Sequence, residues 1–267
     1  NVIKKGYVEI PEGQVHLRRV EGIGPPIVLL HRTPASSVSF EARLARFDGR
    51  GEVIAFDTPG FGQSFRPAGR PSTVDYARWF LAALDGLGID GFHVCGHHTG
   101  THFGVELARL APQRMRSLLL SGVLYTDAAT RAAFATRLGQ ALRPDPDGHY
   151  AVETWKFVRR MREPFAPEVI HEDFIGALLA IEGRDQAFGA VFAQDFPALL
   201  REVRCPIRVA QAVDDPLASM LAKLEAERPD IPVERLGAAQ MGLPELQADG
   251  FADAALRFAE AVDSGST

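Results

Sequence analysis

Cysteine is scarce in this chain: there are two, Cys95 and Cys205, each inside an apolar run that reads as a buried strand. Two such residues make no disulfide framework, and structural thiols in a reducing compartment are the expected reading. Long apolar runs are missing as well, since none approaches the roughly 20 residues of a membrane span. The opening stretch NVIKKGYVEIPEGQVHLRRVEG alternates like a strand pair and has no signal-peptide apolar core, so cytoplasmic residence is the default expectation. Positive charge is in deficit, with 29 Lys and Arg against 34 Asp and Glu and a net charge of −5. A nucleic-acid partner would need a basic surface, and none is expected. Repeats and low-complexity tracts are absent, and no histidine follows His171. That last absence bears on catalysis.

What is present suits a globular protein. With 267 residues and 46% hydrophobic content the chain can bury one large core, or a core and a small inserted domain. Pro11-Glu12-Gly13 separates YVEI from QVHLRRV and predicts an antiparallel hairpin. PPIVLLH (25–31) and EVIAFD (52–57) are continuous apolar runs, as expected of strands buried on both faces. A helix is expected from Thr73 to Leu87, with Tyr76, Phe80, Leu81, Leu84 and Leu87 on one face. FHVCG then reads as a strand, Thr99 to Leu110 as a helix and MRSLLLSG (115–122) as the next strand.

This alternation predicts an α/β fold, a doubly wound and mostly parallel sheet with helices on both faces. From about Tyr125 to Leu200 only helical patterns occur, and the alternation resumes with PIRVAQAV (206–213), VERLGA and a closing helix from Gly250 to Val262. The expected organisation is a core over 1–124, a helical cap over 125–200 and the rest of the core over 201–267.

Five segments, in order, carry a resemblance. IVLLHRTP, FDTPGFGQS (56–64), VCGHHTG, AVDDPL (212–217) and LGAAQMGLPE (236–245) together resemble the α/β-hydrolase fold superfamily, in its capped, D-x-P-G-x-G-x-S-containing form. The resemblance implies a nucleophile elbow at GHHTG, an acid at Asp215 and a final base on the last loop, in that chain order. Here the apex of the elbow is His98, and aligning GAAQM with the family's G-x-G-H-F pattern puts Gln240 at the base position. The elbow is so tight that residues two before and two after its apex must be small. Gly96 and Gly100 therefore place His98, not Thr99, at the apex.

Ordinary Ser–His–Asp acyl transfer is thus not expected. Imidazole near neutral pH serves as base, acid, nucleophile or ligand, and a strained turn is seldom kept without a function. The expected function is cofactor-free proton transfer or water activation by His98 on a small apolar carbonyl-containing substrate, of hydrolase or lyase type. The alternative is an inactive pseudo-hydrolase that binds a small ligand. Asp215, or its neighbour Asp214, is expected to orient His98. The backbone N–H groups of Thr33 and Thr99 are expected at an oxyanion hole, supported by His31. Arg32 replaces the loop's usual glycine; inward it would meet a carboxylate, outward it would be a solvated charge. His97 is expected to support the elbow, and Asp57 to cap its turn through backbone hydrogen bonds. His149 and Trp155 are expected to line the pocket under an apolar roof from Phe165, Phe174, Phe188, Phe192 and Phe196. No metal is expected, for no HxH or HExxH spacing occurs. The expected partner is a small molecule, and a homodimer is left open.

Overall fold

In the computed structural model, which describes residues 2–47, 51–138, 140–162 and 166–266, the chain is built on an eight-stranded sheet. Its strands are β1 (Lys4–Ile10), β2 (Gly13–Val20), β3 (Ile27–Leu30), β4 (Val53–Phe56), β5 (Phe92–His97), β6 (Met115–Ser121), β7 (Ile207–Ala212) and β8 (Val233–Leu236). They lie in the order β1-β2-β4-β3-β5-β6-β7-β8. The hairpin β1–β2 and the β2–β4 pair are antiparallel, and every later pair is parallel. The doubly wound, mostly parallel α/β fold expected from the alternation is the one observed.

The strands alternate between two cores, as a period of two requires. Val28, Leu30, Ile54, Phe56, Val94, Leu118 and Leu120 face one core. There they meet Tyr76 and Phe80 of α2 (Thr73–Gly86, after the short α1, Glu41–Leu44) and Phe103 of α3 (Thr99–Leu110). Ile27, Leu29, Val53, Ala55, Cys95 and Leu119 face the other core. Between β6 and β7 come α4 (Ala128–Leu138), α5 (His149–Arg162), α6 (Pro167–Leu179), α7 (Ile181–Ala193) and α8 (Phe196–Leu200). The chain ends with α9 (Ala218–Glu227), α10 (Leu243–Leu246) and α11 (Ala248–Asp263), whose Phe251, Leu256 and Phe258 close the second core. The short α9 and α10 have no counterpart in the sequence reading. No helix among the described residues is long and apolar enough to cross a membrane.

The FDTPGFGQS segment shows why its spacing is strict. Asp57, at the end of β4, is buried and accepts hydrogen bonds from Ser37 N–H (2.7 Å), Gln63 N–H (2.8 Å) and His16 Nδ1 (2.9 Å). Gly62 has φ 51°, and a Cβ there would strike the Asp57 carboxylate. Asp57 thus ties β2, β4 and the loop after β3 together, and it takes no part in the cavity described below. Burial works against its charge, but the His16 and Ser37 hydrogen bonds outweigh that and hold the carboxyl far below the usual carboxylate range. A depressed folded-state pKa stabilises the fold above the unfolded value of about 3.9, and that contribution is lost progressively as pH falls from there toward the folded value. Asp57→Ala is expected to cost about 3–5 kcal/mol at neutral pH, measured by urea denaturation. The gap to wild type should narrow as the pH is lowered below about 4.

Candidate active site

Fold topology decides where a site can form. The chain leaves β3 for β4 on one side and reaches β5 on the other, so the connections diverge at the carboxyl ends of β3 and β5. A cavity of about 330 Å³ opens there. Residues after β3 (Arg32, Thr33), β5 (His98, Thr99), β6 (Gly122), β7 (Pro216, Leu217) and β8 (Met241) form its floor.

His98 stands between β5 and α3 at φ 47° and ψ −110°, a conformation rare for a residue with a Cβ. Neighbouring glycines make it feasible. A Cβ on Gly100 would overlap the Leu30 carbonyl, and one on Gly96 would press on Gly100 and Thr101. The His98 N–H donates to Ser121 O at 2.7 Å, and its carbonyl accepts from Thr101 N–H at 2.9 Å. Such strain costs on the order of 1–3 kcal/mol, which this surrounding structure must hold.

The His98 ring reaches Asp215, after β7, with Nε2 to Oδ2 at 3.1 Å. Both side chains are buried. The other Asp215 oxygen accepts from Leu217 N–H at 2.8 Å, which fixes the carboxylate. With Nε2–H donated to Asp215, the Nδ1 lone pair is left on the ring. Nδ1 has no hydrogen-bond partner among the described residues, and His98 lines the cavity. Gly122 opposes the ring; a Cβ there would fall on the imidazole.

The other expected residues divide. Arg32 projects inward and is buried, with Asp173 of α6 (2.7 and 3.0 Å), Glu245 of α10 (2.7 Å) and Met241 O (3.3 Å) around its guanidinium. Burial opposes its charge, yet the two carboxylates hold it above its ordinary pKa. His97 bonds Ser121 Oγ (3.1 Å) and Met241 O (2.9 Å). His31 bonds Arg32 O (2.8 Å), and its Nε2 accepts from Thr58 N–H (2.9 Å). Burial pushes that imidazole down to about 4. Neither His31 nor His97 lines the cavity.

Six expected residues need correction. Asp214 does not face His98: its Oδ1 accepts from the N–H groups of Ala239 (2.8 Å) and Gln240 (2.7 Å), holding the loop after β8. The Thr33 N–H is not open for an oxyanion, because Thr99 Oγ1 accepts it at 3.0 Å. His149 is highly exposed, beside Asp145 on a surface turn. Trp155 packs edge-on against Phe174 at 5.3 Å, and neither ring lines the cavity. Phe196 is buried against His102 instead. Phe188 and Phe192 do line the cavity, joined by Phe134 and Phe157, while Phe165 lies outside the described residues. Gln240 sits at φ 45° and does not reach the cavity; Met241 occupies that wall.

The sequence reading passed over His102, one turn beyond His98 on α3, which lines the cavity. Its spacing of four from His98 was the available signal. Its Nδ1 meets the Oε1 of Gln194, whose amide nitrogen donates to Glu106 (2.9 Å) and Thr73 (3.1 Å), and burial pushes the His102 ring down to about 4. Among the described residues, the one cluster with donors close enough for a metal ion is Asp145, Asp147 and His149, away from the cavity.

The family model described as alpha/beta hydrolase fold matches residues 25–168. The "Putative carbamate hydrolase RutD" of Azorhizobium caulinodans is 28% identical over 265 residues, 91% of this chain and 94% of that protein. Among solved structures, E-2-(acetamidomethylene)succinate hydrolase superposes with a TM-score of 0.78 at 21% identity, covering 97% of this chain and all of that one. A mutant of the N-acyl homoserine lactonase AidH, complexed with N-hexanoyl homoserine lactone, gives 0.76 at 23% identity, covering 98% of this chain and 99% of that one.

The space over Gly122 sets the His98 ring. Gly122→Ala is expected to destabilise by about 2–4 kcal/mol, through overpacking and a left-handed backbone. A crystal structure of that variant should show the ring moved out of hydrogen-bond reach of Asp215. Gly148→Ala is the control, since Gly148 has φ 72° but nothing near a Cβ; it should cost about 1 kcal/mol by the same denaturation measurement.

Proposed function

The chain belongs to the alpha/beta hydrolase fold family, and from that premise we propose that it is a hydrolytic enzyme in which His98 is the general base. The observation that carries this reading is the His98–Asp215 hydrogen bond, with Nδ1 left for the cavity. A serine hydrolase divides nucleophile and base between two loops. Here the base stands on the elbow and its orienting acid follows β7, so water is the nucleophile.

The steps follow from the donors present. A water molecule at Nδ1 gives its proton to His98 as its oxygen attacks a substrate carbonyl carbon. Asp215 stabilises the imidazolium that forms, as the buried acid of a triad does. The developing oxyanion is met by the Thr99 N–H, at the first position of α3, where the helix dipole favours negative charge. The Thr99 hydroxyl accepts from Thr33 N–H, which leaves its own proton to donate toward the same oxygen. His98 then returns its proton to the leaving group as the tetrahedral intermediate collapses. The apolar walls, with Leu124, Phe188, Val191 and Phe192, suit a small apolar carbonyl compound. The helical segment from α4 to α8 supplies most of that roof and acts as the cap. The similarity to a putative carbamate hydrolase over most of the chain supports hydrolysis as the reaction class.

Turnover is to be sought on a panel of small esters, lactones and carbamates. On a substrate so found, His98→Ala should lower kcat by about 10²–10⁴-fold with an unchanged circular dichroism spectrum, and Asp215→Asn should also lower it. A serine-reactive fluorophosphonate should leave the protein unlabelled. Full activity in His98→Ala overturns the mechanism. Absence of turnover across the panel, with tight binding of one of its members, favours instead the pseudo-hydrolase that only binds.

A further inference from the structure

The cavity wall from α4 and α7 has an order that the proposed chemistry does not use. Phe134 of α4 stacks on Phe192 of α7 (ring centroids 6.3 Å, interplanar angle 21°), and Phe192 stacks on Phe188 (5.5 Å, 21°). All three rings line the cavity. The Arg137 guanidinium lies over one end ring of the stack, 4.4 Å from the centroid of Phe134, and Arg137 lines the cavity too. One helical turn separates the two residues on α4, so the stacking is built into that helix.

Arg137 differs from Arg32, the other arginine lining the cavity among the described residues, and from Arg184 beside the stack. Arg32 is matched by Asp173 and Glu245. Arg184, which stands over Phe188 at the other end of the stack but does not line the cavity, pairs with Asp185 and donates to Leu138 O. Arg137 is exposed and has neither an ion pair nor a hydrogen bond among the described residues. Its donors are held beside the apolar space by a ring that uses only one face of the guanidinium plane. The edge of that plane, where bidentate pairing with a carboxylate occurs, stays open.

We propose that Arg137 is the recognition site for an anionic group of the substrate, which is thereby an apolar, preferably aryl-bearing, carboxylate. The inference rests on reading this cavity as the substrate pocket. The aryl or alkyl body lies along the Phe134–Phe192–Phe188 stack, its acid group meets Arg137, and its scissile carbonyl is directed to His98. The reaction class that supplies such a compound leaves a free acid on an apolar chain.

Isothermal titration with 4-phenylbutanoate and with 4-phenylbutanamide tests this without requiring turnover. Wild type should bind the acid about tenfold more tightly than the amide, and the preference should shrink as salt is raised. Arg137→Gln should abolish the preference while leaving amide binding unchanged, and Arg137→Lys should retain part of it. His98→Ala should keep the full preference, so a failure of the proposed catalysis would leave this result standing. Equal affinity for acid and amide in wild type, an undiminished preference in Arg137→Gln, or no saturable binding of the acid overturns the proposal. Arg137 is exposed, so its variants should fold, and a thermal melt checks that they do.

Discussion

The site depends on one tight junction, where β5 turns into α3. Gly100 lets the first turn of α3 press against the Leu30 carbonyl of β3, and Gly96 lets the same turn close over the end of β5. That packing forces His98 into φ 47°, at the head of a helix whose first N–H groups have no partners within it. A side chain so held cannot relax toward the core. It stands at the carboxyl edge of the sheet, where the connections diverge on either side of β3. The junction therefore fixes both His98 and the amide donor beside it, Thr99 N–H, through backbone rather than side-chain contacts.

Two substitutions relative to the resembling family make sense together in this geometry. A nucleophile at the elbow needs a base from another loop, whereas a base at the elbow needs only its acid. Asp215 reaches His98 directly, so the loop after β8 need not deliver a histidine, and Gln240 does not line the cavity. That loop is instead pinned from two sides. Asp214 takes the N–H groups of Ala239 and Gln240, and Met241 O takes donors from His97 and Arg32. His97 and Asp214, the sequence neighbours of His98 and Asp215, thus hold the loop while His98 and Asp215 face each other.

The buried arginine has a comparable structural task. Arg32 joins the loop after β3 to α6 through Asp173 and to α10 through Glu245, so one guanidinium links three separate segments around the cavity. A buried charge left without its partners is strongly destabilising, which gives that arrangement little freedom to rearrange. The same saturation means Arg32 is not available to bind a substrate carboxylate. Among the described residues that line the cavity, the other arginine is Arg137, on α4.

Much of the fold was legible from local pattern. Apolar runs buried on both faces, the breaks at Pro11-Glu12-Gly13 and the glycines of GHHTG all act through backbone geometry and solvent exclusion, which are short-range in sequence. For that reason β3 to β7, α2 and α3 fall close to where the residues place them. His98 at the apex of the turn and the place of Asp215 after β7 were legible as well, since motif order locates them. Which carboxylate of the adjacent Asp214 and Asp215 turns to His98 was not, because a single peptide step reverses the direction of a side chain. Nor could the sequence show that Thr99 Oγ1 would occupy the Thr33 N–H, that Trp155 would pack on Phe174, or that His149 would stay in solvent. The helical segment from α4 to α8 carries no such motif, and its lining residues are chosen by how those helices lie across the sheet. The sequence by itself determined the sheet, the elbow and the histidine at its apex, because each rests on steric rules among near neighbours. Tertiary structure alone decided the partner of that histidine and the wall opposite it, because both depend on residues brought together across more than a hundred positions, such as His98 and Asp215 at a separation of 117.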